Sequence, residues 1–121
     1  MPFTLDSSGV DRNVPVAAMA AGAGTGPPAP VMSANADDYR GTLTFGTGTS
    51  PAAGNVATVT FSRVRDPNRL PVVQLTETTA AFAALQPAVV VSSTGFTVAV
   101  ANAPAASQGN TVYGFGWTTV D

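Results

Sequence analysis

The chain has no cysteine and no histidine in its 121 residues. Disulfides, thiolate nucleophiles and thiolate metal ligands are therefore excluded, and the commonest nitrogen ligand for a metal is missing. No Ser-His or Cys-His pair can be assembled, and no imidazole is present to move a proton near neutral pH. Lysine is missing too. The five cations are Arg12, Arg40, Arg63, Arg65 and Arg69, against the acids Asp6, Asp11, Asp37, Asp38, Asp66, Glu77 and Asp121. A net charge of −2 with only 10% charged residues gives no basic face for nucleic acid. Asp37 and Asp38 are adjacent, which does not aim two carboxylates at one substrate atom, and they are expected to be solvated acids near a strand start. Long apolar runs are also lacking. The alanine-rich stretch 17–23 is too short and weakly apolar to span a membrane, and the segment opening Met1-Pro2-Phe3-Thr4 lacks the basic start of a secretory signal. These absences predict a protein made in the cytoplasm, with no catalytic residue set, no cofactor and no membrane contact.

What is present divides near Tyr39. Residues 1–38 hold Pro2, Pro15, Pro27, Pro28 and Pro30 with Gly22, Gly24 and Gly26, and show no sustained period of either strand or helix. Such a segment cannot build a core alone. It reads as an extended N-terminal arm, able to reach on the order of 125 Å at most. Residues 22–30 would be a spacer. Phe3, Leu5, Val10, Val14 and Val16 would be apolar anchors on a polar thread, with Arg12 a charged contact to a partner.

Residues 39–121 read as strands at short spacing. Leu43 and Phe45 share one face of 41–45, and 46–55 is turn chemistry throughout. Ala57, Val59 and Phe61 point one way in 56–62, and Thr58 and Thr60 the other. Further strands are expected at 70–76, 88–92, 96–100 and 111–120, with a helical turn over 79–85 closed by Pro87. Period-2 patterning with one apolar face predicts an all-β fold, a six-stranded antiparallel β-sandwich carrying the extended arm. A domain of about 80 residues is marginal alone, and oligomers are the reinforcement left once disulfides and metals are excluded. The last strand places Tyr113, Phe115 and Trp117 on one face and Gly114 and Gly116 on the other. Three roles fit it: core aromatics with crowding relieved by glycine, a glycine side open to another backbone or subunit, or Tyr113 and Trp117 as a sugar-stacking platform. The loop holding Arg63, Arg65 and Arg69 is expected to be solvated or to face a subunit.

The pieces GTLTF at 41–45, VATVTFS at 56–62, LPVVQLT at 70–76, the alanine-rich 80–84, SSTGFTVAVANAP at 92–104 and the aromatic strand 112–120 together resemble a β-domain common in bacteriophage virion proteins. The strand plan is also similar to the six-stranded H-type lectin sandwich, which assembles as trimers. The resemblance implies a virion accessory protein, at a fibre tip or as a head decoration or head-fibre protein. A fibre carries a long repetitive or coiled-coil shaft, and no heptads precede this domain. The expectation is therefore a capsid decoration protein on the capsid exterior, a homotrimer docked on the major capsid protein by its arms, with Gly114, Gly116, Arg63 and Arg65 at the subunit interface. Chain addition of that kind supplies backbone hydrogen bonds, and three arms add avidity. The alternative is a tail or fibre module that recognises a host glycan, with exposed groups near Asn110, Tyr113 or Trp117.

Overall fold

The computed structural model describes residues 4–5, 11–12, 14–107, 110 and 112–121. The described chain is almost entirely strand and loop. In order come β1 (Thr4–Leu5), β2 (Asp11–Arg12), β3 (Val16–Met19), a 3-10 turn (Ala21–Ala23), β4 (Val31–Met32), β5 (Arg40–Phe45), β6 (Gly54–Thr60) and β7 (Val72–Glu77). The helical turn α1 (Ala80–Ala83) follows, then β8 (Pro87–Val91), β9 (Gly95–Val100) and β10 (Tyr113–Val120). Two antiparallel four-stranded sheets result, ordered β4-β5-β10-β7 and β3-β6-β9-β8, and β1 pairs with β2 apart from both.

All six expected strands are found, each within two or three residues of its expected ends, and so is the helical turn. The correction is in number: eight strands build the two sheets, because β3 and β4 come from the segment expected to be an extended anchoring arm. Val16 to Met19 pairs with Thr60 to Ala57, and Val31 and Met32 pair with Thr44 and Leu43. The expected spacer is tied down as well. Thr25 exchanges two backbone hydrogen bonds with Thr49, both 2.9 Å, Gly48 N–H donates to Ala23 and Ala52 N–H donates to Gly22. The boundary at 38/39 is thus not where the folded unit begins; residues 14–38 belong to it. Backbone donors and acceptors recruit this segment, so hydropathy carries little trace of it. Gly24 shows the local reason. Its φ of +89° suits glycine, and a Cβ there would stand 2.5 Å from Thr49 O, so the residue serves a close crossing rather than flexibility.

The two sheets face one shared core. Leu43 and Phe45 of β5, Val59 of β6, Phe96 and Val98 of β9, and Phe115 and Trp117 of β10 are all buried in it. The bulge at Asn55–Ala57 lets both Val56 and Ala57 turn inward. Aromatic rings form a continuous spine, Phe82 to Phe115 at 5.4 Å, Phe115 to Trp117 at 6.4 Å, Trp117 to Phe96 at 5.8 Å and Phe96 to Phe61 at 6.1 Å. Phe82 closes one end. The Thr79 hydroxyl accepts from Phe82 N–H at 3.2 Å, an N-cap that also accepts Gly114 N–H and so fixes α1 to β10.

Candidate functional site

The residues singled out by sequence fall into three places. The first is the N-terminal segment. Thr4 lies opposite Arg12 and Leu5 opposite Asp11, and among the described residues this pair of strands joins neither large sheet. Leu5 and Arg12 thus lie on neighbouring strands, each opposite a different residue, whereas Phe3 and Val10 lie outside the described residues. Val14 is half-buried and Val16 projects from β3, so these two expected arm anchors belong to the sheet region instead.

The second place is the end of the molecule where residues 37–40, 61–70 and the last residue meet. Asp38, expected to be solvated, is fully buried. Its carboxylate accepts Ser62 N–H at 2.8 Å, Ser62 Oγ–H at 2.9 Å and Arg63 N–H at 3.3 Å, and faces the Arg65 guanidinium at 3.4 Å. Arg65 also donates to Asp121 at 3.1 Å and to the Arg63 carbonyl at 2.9 Å. Its guanidinium lies over Phe61, 4.8 Å from the ring centroid, and over Tyr39 at 5.3 Å. A planar, weakly hydrated cation suits that stacked and forked setting. Arg65 thus has both its ion pairs within its own chain, whereas Arg63 is exposed and keeps its side chain free of ion pairs among the described residues. Neighbouring Asp37 is a backbone cap, accepting Tyr39 N–H and Arg40 N–H at 2.8 and 2.9 Å. After Arg12, every charge except Glu77 falls at 37–40, 63–69 or 121. Among residues 14–121 the charges therefore gather toward this end.

The third place is the outer face of the sheet around β10. Tyr113 and Trp117 are buried, at 5% and 2% exposure, so neither is a stacking platform. The Tyr113 hydroxyl accepts Ala105 N–H at 3.0 Å and holds the loop before its own strand. Trp117 lies directly across from Gly41, where a Cβ would come within 2.6 Å of the indole. The two outward glycines differ. A Cβ on Gly114 would meet Thr78 Oγ1 at 2.5 Å, but one on Gly116 would find its nearest atom at 3.4 Å. Crowding explains Gly114, whereas among the described residues a Cβ at Gly116 would make only ordinary contacts, with Gly41 O and the Thr42 methyl. A groove of about 420 Å³ runs there, lined by Thr42, Thr76, Thr118, Ser33, Asn35 and Arg40. Its walls offer hydroxyls, one amide and one guanidinium that has no ion pair among the described residues.

No known protein family, curated protein or solved structure matches the chain. Among the described residues no group of three or more acids stands together as a metal site. What the surface offers is contact chemistry: a small paired extension, a polar groove and a charged end with apolar neighbours. Sequence reasoning missed Asp38 and Asp121 as partners of Arg65. The signal was faint, a single turn that packs Arg63, Arg65 and Asp66 just after Phe61, the residue that follows β6. It also missed Ser33, Asn35 and Arg40, which only the pairing of β4 with β5 brings to one groove.

Proposed function

We propose that the chain is a virion structural protein, a capsid decoration protein that docks on the major capsid protein of its shell. The two facing sheets are read as a closed β-sandwich that stands on the capsid exterior. Docking runs through the N-terminal extension, now confined to residues 1–13, with Leu5 and Arg12 as contacts. The observation that supports this reading is that, among the described residues, β1 and β2 pair with each other and with neither large sheet. The strand motifs that resemble phage virion domains supply the location. Sheet addition at a partner's edge would use the backbone groups of such a pair.

The test is a deletion of residues 1–13 assayed by co-sedimentation with shells that lack the protein. Full-length chain should pellet with the shells, and the deleted chain should stay in the supernatant with unchanged circular dichroism. A deleted chain that still coats shells would refute the reading. Removing residues 1–20 would not serve, since it takes away β3.

One observation favours a second reading, a tail or fibre receptor-binding module. The hydroxyl-lined groove over Gly116 has the size of a small-ligand site. Under that reading a glycan array gives hits that Arg40→Ala abolishes; an array without hits removes it.

A further inference from the structure

The charged end also carries most of the exposed apolar surface. Of nine exposed large apolar residues described, five are there. Val72 and Val120 are directly paired across β7 and β10, both on the outer face, at 61% and 59% exposure. Leu70 borders the same depression as Arg69, Asp66 and Asp121. Val64, at 74%, stands between Arg63 and Arg65, and Tyr39 lies beneath the Arg65 guanidinium. Scattered apolar side chains need no explanation, but a contiguous group rimmed by charges marks an interaction site. Tyrosine and arginine are enriched in such sites, and Tyr39, Arg65 and Arg69 stand at this end.

The charges say what kind of partner fits. Asp66 and Arg69 occupy one tight turn, closed by Arg69 N–H donating to the Asp66 carbonyl at 3.0 Å. Asp66 accepts one backbone N–H, from Asn68 at 2.9 Å, and neither its carboxylate nor the Arg69 guanidinium has an ion pair among the described residues. Unpaired charges of both signs therefore flank an apolar centre. A purely acidic or purely basic partner would leave one of them opposed by its own sign. A surface that offers an apolar centre and both signs at the same spacing is this surface itself.

We infer that this end is a self-association face, on which a second copy of this chain docks. Val72, Val120 and Leu70 of one copy pack on the equivalent region of the next, and Asp66 of one pairs with Arg69 of the other. The inference needs nothing from shell docking, because it concerns the isolated protein.

Analytical ultracentrifugation of the full chain at tens of micromolar tests it. The expected species is a multiple of the 12.1 kDa protomer. Arg69→Asp, whose side chain makes no hydrogen bond in the described structure, should weaken association by at least about tenfold, as should Asp66→Arg. The double variant Asp66→Arg with Arg69→Asp restores opposite signs across the contact and should recover affinity to within about threefold of wild type. Val72→Ser with Val120→Ser should weaken it without loss of fold, since both side chains are exposed. A wild-type monomer at these concentrations would overturn the inference. So would single reversals that leave the association constant unchanged, or a double reversal no better than the singles.

Discussion

Asp38→Ala is the substitution that most directly probes the charged end. The carboxylate is completely buried and serves four donors: Ser62 N–H, Ser62 Oγ–H, Arg63 N–H and the Arg65 guanidinium. Alanine would leave the backbone donors without an acceptor and would leave the buried side of Arg65 facing an apolar methyl. Removing one partner of a buried pair costs about 3–5 kcal/mol. A domain of this size has roughly 5–15 kcal/mol in total, so the loss is a large fraction of it. The distances also rank the donors. The two bonds from Ser62 are near 2.8–2.9 Å and the Arg65 contact is 3.4 Å, so the loop 62–63 gains more from Asp38 than the arginine does. Arg65→Met, which keeps a stem over Phe61 and Tyr39, should therefore cost less than Asp38→Ala, about 2–3 kcal/mol. Urea unfolding followed by tryptophan fluorescence measures both. With a slope of about 1.5 kcal/mol per molar, Asp38→Ala should lower the midpoint by roughly 2–3 M at constant slope. A loss under about 1 kcal/mol, or a larger loss for Arg65→Met, would refute the reasoning.

Three further outcomes follow from the packing. Gly41→Ala drives a Cβ into the Trp117 ring and should cost about 1–3 kcal/mol, whereas Gly116→Ala should be neutral or slightly stabilising; paired thermal melts decide it. Phe82→Ala empties the plug between the sheets and should cost about 3–5 kcal/mol by urea titration. Deleting residues 1–13 should leave the melting temperature within about 2 °C of wild type, while deleting 1–20 should lower it by several times that, because only the second removes a strand from a sheet.

The strands that were legible in the sequence share one property: their side chains alternate. Val59 and Phe61 alternate with Thr58 and Thr60, and Phe96 and Val98 with Thr97, so burial of one face was written in period 2. β3 and β4 lack that signature. Val16 to Met19 contains two alanines and Val31 and Met32 are only two residues, so both are strands because β6 and β5 offer them unpaired backbone groups. Gly22 to Pro30 has the composition of a linker, and hydrogen bonds to the loop 48–52 make it part of the fold. The candidate surfaces were legible only in part. Arg63 is exposed and Gly116 is buried with room for a Cβ, but Arg65 finds its partners from residues 27 and 56 positions away, a proximity that topology creates and local sequence does not encode.

β3 and β4 lie on the same flank of the two sheets, and one continuous stretch of chain supplies both. That stretch seals the outer ladders of β6 and β5 together. Lifting it would bare two rows of amides and carbonyls in one event, so amide exchange along Val56–Thr60 and along Thr42–Thr44 should share a common opening. Any trade of this strap between molecules would have to pass through the doubly bared state, which makes such an exchange slow and cooperative rather than gradual.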